Sequence, residues 1–216
     1  MNKAVIFDLD GTLLDTLPDI HFYVNEMLKV KGYNLRSREE VMQFIGCGSK
    51  NLIKLSLPEG LLDEEITICH EYYNKIYTDS NSPRTKLFDG IKEVVKTLKE
   101  RGYKIAILTN KPQETTDTVH ERYMKDMGFD MVIGQSGKVK VKPDPTAAKE
   151  ILKTLDVLPE NCYFIGDGET DVQTSINLGS RGIAVLWGYR SKEQLSKAGA
   201  KVFANEPKEL INLISL

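Results

Sequence analysis

The feature that most constrains this chain is the stretch of residues 3–12 (KAVIFDLDGT), where a short apolar run is followed at once by acidic residues. Residues 4–7 have the unbroken apolar character of a strand buried on both faces of a parallel sheet. Asp8 and Asp10 follow two positions apart, so in an extended chain they point the same way, roughly 7 Å apart, before Gly11 turns the chain. Carboxylates at the end of a central strand lie where open α/β sheets bind ligands, and a cation relieves their repulsion. The stretch therefore predicts a site for a hard divalent metal.

Two simpler interpretations explain less of this stretch. An ordinary strand-ending turn would use Asp10 and Gly11, because both residue types favour turns, but it leaves the alignment of Asp8 unexplained. A calcium-binding EF-hand loop also begins with Asp-x-Asp, yet it requires glycine at its sixth position, which is Leu13 here, and flanking helices instead of a strand. A ligand site at the end of the strand is the interpretation that uses both acids.

The composition and charge of the 216-residue chain limit its class of function. The chain is 41% hydrophobic and 28% charged, which is enough apolar material for one domain or for one domain with a smaller insert. The formal net charge of −2 comes from 29 basic and 31 acidic residues. Because this balance gives no overall basic field, we expect neither nucleic acid nor a membrane as a partner.

Cysteine usage and the apolar runs predict a cytoplasmic location. Cys47, Cys69 and Cys162 are widely separated and form no Cys-x-x-Cys pair, which predicts buried free thiols instead of disulfides or a thiolate metal site. No apolar stretch approaches the roughly 20 residues that cross a membrane. The N-terminal apolar run reaches Asp8 after four residues, which is too short for a signal peptide.

The spacing of apolar residues divides the chain into two predicted units. Residues 15–86 contain no convincing buried strand and have the apolar spacing of amphipathic helices, which predicts a helical cap domain. From Phe88 onward, strand and helix patterns alternate. Repeated strand-helix units with right-handed crossovers predict a doubly wound parallel sheet of the α/β class. We therefore expect a Rossmann-like catalytic core formed by residues 1–14 and 87–216, with the α-helical cap inserted after the first strand.

Polar residues follow four of the predicted strands and should meet, because the carboxyl ends of parallel strands share one edge of the sheet. In chain order they are Asp8 and Asp10, Thr109 and Asn110, Lys142, and Asp167 and Asp171. Carboxylates without a nearby His or Cys cluster favour an oxygen-seeking ion, and Mg²⁺ keeps positions open for water and a phosphate oxygen. The ensemble predicts phosphoryl chemistry. Individually, Thr109 and Asn110 also fit a helix cap, Lys142 a surface lysine, and Asp167 and Asp171 helix caps.

These motifs make the chain resemble the haloacid dehalogenase-like superfamily of aspartate-nucleophile phosphatases. The first motif of that superfamily, Asp-x-Asp-x-Thr, matches residues 8–12, and the fourth, Gly-Asp-x-x-x-Asp, matches residues 166–171. The second-motif Thr is Thr109 and the third-motif Lys is Lys142. Within the superfamily, residues 109–112 (TNKP) and a helical cap carrying Gly46-x-Gly48 look like the phosphoglycolate phosphatase branch.

The resemblance implies a role for each of these residues. Asp8 attacks phosphorus and forms an aspartyl-phosphate, and Asp10 protonates the leaving oxygen and then activates water. The implied Mg²⁺ ligands are Asp8, the backbone carbonyl of Asp10, and Asp167, with Asp171 acting through water or by orienting its neighbours. The implied groups that hold the phosphoryl oxygens are Lys142, Thr109 and backbone N–H groups near Asn110. Gly46 and Gly48 are the cap residues expected to contact substrate.

The leading hypothesis is a Mg²⁺-dependent phosphatase acting on a small phosphorylated metabolite, with 2-phosphoglycolate as the best single candidate. A cap that closes over the site would exclude bulky phosphoproteins. Within the superfamily, an inorganic pyrophosphatase and a sugar phosphate mutase are the alternatives. From another class, the scaffold could serve as a catalytically silent phosphometabolite sensor. A monomer or a homodimer is compatible with each of these.

Overall fold

The computed structural model describes residues 2–80, 82–137 and 139–214. The strands, in chain order, are β1 (Lys3–Phe7), β2 (Leu14–Asp15), β3 (Lys86–Leu87), β4 (Tyr103–Pro112), β5 (Met131–Gln135), β6 (Cys162–Gly166), β7 (Arg181–Val185) and β8 (Phe203–Ala204). The α-helices are α1 (Leu17–Lys31), α2 (Arg38–Phe44), α3 (Ser49–Ser56), α4 (Asp63–Asp79), α5 (Ile91–Glu100), α6 (Gln113–Tyr123), α7 (Thr146–Leu155), α8 (Glu169–Leu178), α9 (Lys192–Lys197) and α10 (Leu210–Leu213).

Six of the strands form one parallel sheet in the order β5-β4-β1-β6-β7-β8. Counting only the strands of this sheet, the order is 3-2-1-4-5-6, which is that of a doubly wound Rossmann-like fold. The first strand is central, with β4 on one side and β6 on the other. The chain reverses its direction of winding there, so the ligand crevice is expected at the carboxyl end of β1. The predicted fold class is confirmed.

Both faces of β1 are buried, because successive side chains of a strand point to opposite sides. Val5 and Phe7 pack in a cluster with apolar residues of α5, α6 and α10. Ala4 and Ile6 pack in a second cluster with residues of α7 and α8. Helices therefore cover both sides of the sheet, and only its edges and the strand ends remain available for a site.

The four helices α1 to α4 surround an apolar cluster that is contributed almost entirely by the segment between β2 and β3. Helix α1 carries Pro18 in its first turn and ends at Gly32, whose φ of 76° is left-handed. The strands β2 and β3 pair antiparallel, so the chain enters and leaves the helical segment at the same place. The division of the chain into two domains at these positions stays a prediction.

Three details differ from the sequence-based expectations. The β2–β3 pair was not expected, because two-residue strands carry no recognisable apolar period. Helix α8 begins at Glu169 instead of Val172, because the N–H of Gly168 donates to Oδ2 of Asp171 (2.9 Å) and so extends the helix start by one turn. Cys69 and Cys162 are buried free thiols as expected, but Cys47 is exposed.

Within the described ranges, no helix combines the length and apolar character needed to cross a membrane.

Candidate active site

Three carboxylates converge at the carboxyl edge of the sheet. Asp8 follows β1, Asp167 follows β6, and Asp171 lies in the first turn of α8. One oxygen from each lies within 4.8 Å of the other two, and all three residues are buried. These residues are separated by up to 163 positions in the chain and meet only because parallel strands end on one side.

The close approach of these acids depends on glycine at surrounding positions. A Cβ at Gly11, where φ is +80°, would lie 2.2 Å from Oδ2 of Asp167, and a Cβ at Gly188 would lie 2.3 Å from the Cβ of Asp167. At Gly166, a Cβ would lie 2.2 Å from Cγ of Asp171. Only residues without a side chain leave space for carboxylates at these points.

Two hydrogen-bond donors, one for each carboxylate oxygen, hold the side chain of Asp167. The Thr12 hydroxyl donates to Oδ1 (3.0 Å), and the N–H of Tyr189 donates to Oδ2 (2.7 Å). These bonds fix the rotamer of the carboxylate while each oxygen keeps a further lone pair. The Thr of the first motif thus orients an acid of the fourth motif.

Lys142 lies between two of the acids. Its Nζ is 2.6 Å from Oδ1 of Asp171, to which it donates a hydrogen bond, and 2.7 Å from Oδ1 of Asp8. The contact with Asp8 is a close ion pair. Among the described residues, this buried Oδ1 of Asp8 has no partner other than Lys142. A carboxylate oxygen has two lone pairs, so Oδ1 can accept one further group.

Burial and mutual repulsion raise the pKa of two of the acids. Burial, followed by the negative charge of Asp171, raises the pKa of Asp8 from 3.8 to about 8, although Lys142 acts in the opposite direction. The same two causes raise the pKa of Asp167 to about 7. Burial by itself lowers the pKa of Lys142, but Asp171 and Asp8 outweigh it, so this pKa is raised above its usual value. One lysine does not compensate three carboxylates, and the cluster lacks positive charge.

The cluster fits a hard divalent cation. Its donors are carboxylate oxygens, with no thiolate or imidazole in the group, and it includes Asp8, whose Oδ1 has no partner other than Lys142. This donor set is the one that Mg²⁺ favours. The Asp10 side chain is not a member of the group, so the predicted part of Asp10 in metal binding rests on its backbone carbonyl and stays a prediction.

Asp10 faces the pocket beside the cluster and is paired with a different lysine. Lys111, at the end of β4, places Nζ 3.1 Å from Oδ1 and 3.3 Å from Oδ2 of Asp10. The same Nζ donates to the hydroxyl of Tyr77 in α4 (3.1 Å). The two acids of the first motif thus have separate basic partners, Lys142 for Asp8 and Lys111 for Asp10.

Asn110 connects the core to the loop before α3. Its Nδ2 donates to the carbonyl of Gly46 (2.9 Å) and to that of Lys142 (3.1 Å), while its Oδ1 accepts from the N–H of Lys142 (2.7 Å). Its side chain therefore positions the Lys142 backbone, and Asn110 also lines the pocket described below, so its predicted substrate contact stays a prediction. The neighbouring Thr109 is buried at the pocket wall, where its hydroxyl accepts from the N–H of Lys111 (3.2 Å).

A pocket lies between the carboxylate cluster and the helical segment. Its floor includes Asp8 and Asp10, and Thr109 lies in its wall. Its roof is formed by the loop at Gly46 and Gly48 together with Tyr73 and Tyr77 of α4. The remaining wall combines apolar side chains such as Ile20 and Leu52 with Ser49 and Asn74. The predicted catalytic residues Asp8 and Asp10 and the two cap glycines therefore border one space, whereas Lys142 does not line it and contacts Asp8 (2.7 Å). Their individual roles stay predictions.

A family model described as haloacid dehalogenase-like hydrolase matches residues 5–185. This span contains all three acids of the cluster together with both lysines. The chain belongs to the haloacid dehalogenase-like hydrolase family.

Relatives of this haloacid dehalogenase-like hydrolase agree with that assignment. Phosphoglycolate phosphatase of Aquifex aeolicus is 30% identical over 190 residues, which are 87% of this chain and 86% of that protein. Phosphoglycolate phosphatase 1 of Pseudomonas aeruginosa is 29% identical over 214 residues, covering 97% of this chain and 78% of the relative. A crystal structure from Lactobacillus delbrueckii subsp. bulgaricus, whose phosphoglycolate phosphatase activity is itself a prediction, has a TM-score of 0.92 at 31% identity and covers 99% of both chains. These similarities confirm the predicted superfamily and the class of phosphoric monoester hydrolase.

Two residues that contribute to the site of this haloacid dehalogenase-like hydrolase were not predicted from its sequence. Tyr189 and Arg190 follow β7, the fifth strand of the sheet, and both line the pocket. The rule used for the first four strands, that polar residues after a strand reach the ligand edge, applies equally to the fifth. Lys111 belongs to the motif of residues 109–112, but nothing in the sequence shows which acid it pairs with.

Proposed function

We propose that this protein hydrolyses a small phosphate monoester through an aspartyl-phosphate on Asp8, with 2-phosphoglycolate as the leading candidate substrate. The observation that carries the proposal is the Asp8 carboxylate, which is buried at the floor of a pocket and whose Oδ1 contacts Lys142 (2.7 Å) and has no other partner among the described residues. A carboxylate held in this way is available to attack phosphorus.

In the first step, an oxygen of Asp8 forms a bond to phosphorus while the bond to the leaving oxygen breaks. Asp10, which lines the same pocket, gives its proton to the leaving oxygen. In the second step, Asp10 takes a proton from the water that attacks the aspartyl-phosphate, which releases inorganic phosphate and restores Asp8. Lys142 stabilises negative charge on the phosphoryl oxygens next to Asp8.

The residues that would hold Mg²⁺ are Asp8 and Asp167, with the backbone carbonyl of Asp10 and with Asp171 in support. When bound, the ion supplies positive charge that lets an anionic nucleophile approach an anionic phosphate. Thr12 and Tyr189 keep Asp167 oriented for that purpose through the two hydrogen bonds described above.

Two observations support a compact substrate. The relatives reported above carry the name phosphoglycolate phosphatase. In addition, Asn110 ties the loop at Gly46 down over the pocket (2.9 Å), so the roof lies close to the catalytic floor. A substrate must therefore fit between the loop and the acids, which favours small metabolites over phosphoproteins. The cytoplasmic location and the monomeric or homodimeric state stay predictions.

The proposal is tested by measuring phosphate release with Mg²⁺ from 2-phosphoglycolate, pyrophosphate and a hexose phosphate. We expect 2-phosphoglycolate to have the highest kcat/KM, and Asp8→Asn to lose at least about 1,000-fold in kcat while its circular dichroism is unchanged. The matched control Asp126→Asn, at an exposed position, should retain full activity. Turnover in Asp8→Asn equal to that of the wild type would reject the nucleophile. Isomerisation of the hexose phosphate without phosphate release would instead show a mutase, and phosphate binding without turnover a sensor.

A further inference from the structure

We propose that Lys111 is a positioning residue, which fixes the orientation of the Asp10 carboxyl group and links that orientation to the seating of helix α4 over the pocket. This inference rests on the proposed function, because it concerns the acid that protonates the leaving group. The observation behind it is a single buried amine with one partner in the core and one in the roof, namely Asp10 (3.1 and 3.3 Å) and the hydroxyl of Tyr77 (3.1 Å).

The surroundings of Lys111 leave it little freedom. Its side chain is 4% exposed, and that of Asp10 is 13% exposed. A buried ammonium is stable only when it is paired, so Lys111 and Asp10 hold one another in place. Because the amine lies near both carboxylate oxygens, it resists rotation of the carboxylate plane.

Tyr77, the partner of Lys111 in helix α4 of the roof, is also held in place by its neighbours. Tyr77 is buried, and its ring stacks on Tyr73 with a centroid distance of 5.5 Å. The Lys111 Nζ also lies 4.7 Å from the Tyr77 ring centroid, which adds a cation–π contact. When α4 moves away from the core, Lys111 loses this contact, so the geometry of the Lys111–Asp10 pair depends on the roof being seated.

Loss of the Lys111–Asp10 contact should affect the transfer of a proton from Asp10 to the leaving oxygen. An alkoxide is a strongly basic leaving group, so it needs this proton as the bond to phosphorus breaks. The weakly basic p-nitrophenolate leaves without it. Loss of orientation at Asp10 should therefore slow alkyl phosphates much more than p-nitrophenyl phosphate. If Lys111 instead bound a negative group of the substrate, the loss would follow substrate charge and not the leaving group.

The test compares kcat/KM of the wild type and Lys111→Met, with Mg²⁺, for 2-phosphoglycolate, ethyl phosphate and p-nitrophenyl phosphate. We expect losses of about 100-fold for both alkyl substrates and less than about fivefold for p-nitrophenyl phosphate. The matched control Lys75→Met, at an exposed position of α4, should leave all three values unchanged. Equal losses for all three substrates, or a loss confined to 2-phosphoglycolate, would overturn the inference.

A second variant keeps the inference testable if Lys111→Met does not fold. Tyr77→Phe removes only the hydroxyl that accepts from Lys111 and keeps the ring stacked on Tyr73. We expect the same dependence on the leaving group with a smaller loss for the alkyl substrates, about 5- to 10-fold. An unchanged ratio of alkyl to aryl kcat/KM in Tyr77→Phe would show that the roof does not act through Lys111. Failure of the proposed function can be told apart from failure of this inference, because only the former would give full turnover in Asp8→Asn.

Discussion

Gly11 and Asp167 are packed so closely that no side chain fits at position 11. A Cβ there would lie 2.2 Å from Oδ2 of Asp167, and Gly11 also has a left-handed φ of +80°. The glycine of the first motif therefore has a steric role as well as a conformational one, because it makes the space that the acid of the fourth motif occupies.

We expect Gly11→Ala to lower kcat/KM about 100-fold, because Asp167 must move and displacements of about 1 Å in a site have effects of that size. Its left-handed backbone should also cost about 1–2 kcal/mol of unfolding free energy. Gly102→Ala is the matched control, since Gly102 has a φ of +81° with no atom within 4 Å of the added Cβ. Both variants should lose this backbone energy in urea denaturation, with a larger total loss in Gly11→Ala because its Cβ also displaces Asp167, and only Gly11→Ala should lose activity. Full activity in Gly11→Ala would show that Asp167 tolerates displacement.

Asp167→Asn should stabilise the metal-free protein at alkaline pH. The pKa of Asp167 is raised to about 7 by burial and by Asp171, so its contribution to stability is fully present below the unfolded pKa of 3.8 and is lost as the pH rises through 7. Asparagine does not ionise, and its amide can still accept from Tyr189 and donate to Thr12. In EDTA at pH 8 we expect the variant to exceed the wild type by about 2 kcal/mol, or roughly 4–8 °C in Tm.

Two further measurements bear on that pH prediction. The advantage of Asp167→Asn should shrink toward pH 5, where Asp167 of the wild type is protonated. Added Mg²⁺ should raise the Tm of the wild type more than that of the variant, because a ligand that binds only the folded state stabilises it. A wild type as stable as the variant at pH 8 in EDTA would contradict the assigned repulsion.

Lys142→Met should destabilise the protein by about 3–5 kcal/mol, because it leaves Asp8 and Asp171 buried without their shared cation. Phosphate release should also fall, by at least about 100-fold. The double variant Lys142→Met/Asp171→Asn should recover part of the unfolding free energy, measured in urea, but none of the activity. Lys140→Met, which removes an exposed lysine paired with Asp144, is the control and should change neither quantity. Activity restored in the double variant would mean that Lys142 serves only to neutralise Asp171.

Arg190→Met should weaken substrate binding by loosening the roof. The guanidinium donates to the carbonyls of Met42 (2.9 Å), Gln43 (3.1 Å) and Ile45 (2.6 Å) at the end of α2, while its Nε donates to Glu169 (2.9 Å). It thereby fastens the loop that leads to Gly46 onto the core. We expect KM for 2-phosphoglycolate to rise about 10-fold with a smaller change in kcat, and proteolysis within residues 42–48 to become faster.

Arg38→Met is the control for Arg190, because Arg38 is an exposed residue of the same helix α2. Lysine at position 190 should restore only part of the affinity, since an ammonium cannot reach three carbonyls and a carboxylate with the planar geometry of a guanidinium. An unchanged KM in Arg190→Met would show that the loop is held by other contacts, such as that between Asn110 and Gly46.

The sequence predicted correctly those features that depend on position along the chain. Residues 4–7 indicated a buried strand, and Asp8 had to lie at its end because it is the next residue. The position of Asp167 followed in the same way from β6. Thr109, which was expected just after a strand ending at Leu108, instead lies inside β4, because β4 continues to Pro112 with a register shift against β5. The helical segment between β2 and β3 was also predictable, since the apolar spacing of α1 to α4 follows a helical period.

Only the tertiary structure decided which basic group meets which acid. Lys142 pairs with Asp8 and Asp171, whereas Lys111 pairs with Asp10 and reaches Tyr77 in α4. The sequence by itself determined that acids and lysines collect at one edge, because parallel strands place their carboxyl ends together whatever the loops do. Which pairs form depends on differences of a few ångströms between side chains that are distant in sequence, and those differences are set by the packing of loops and of α4 against the sheet.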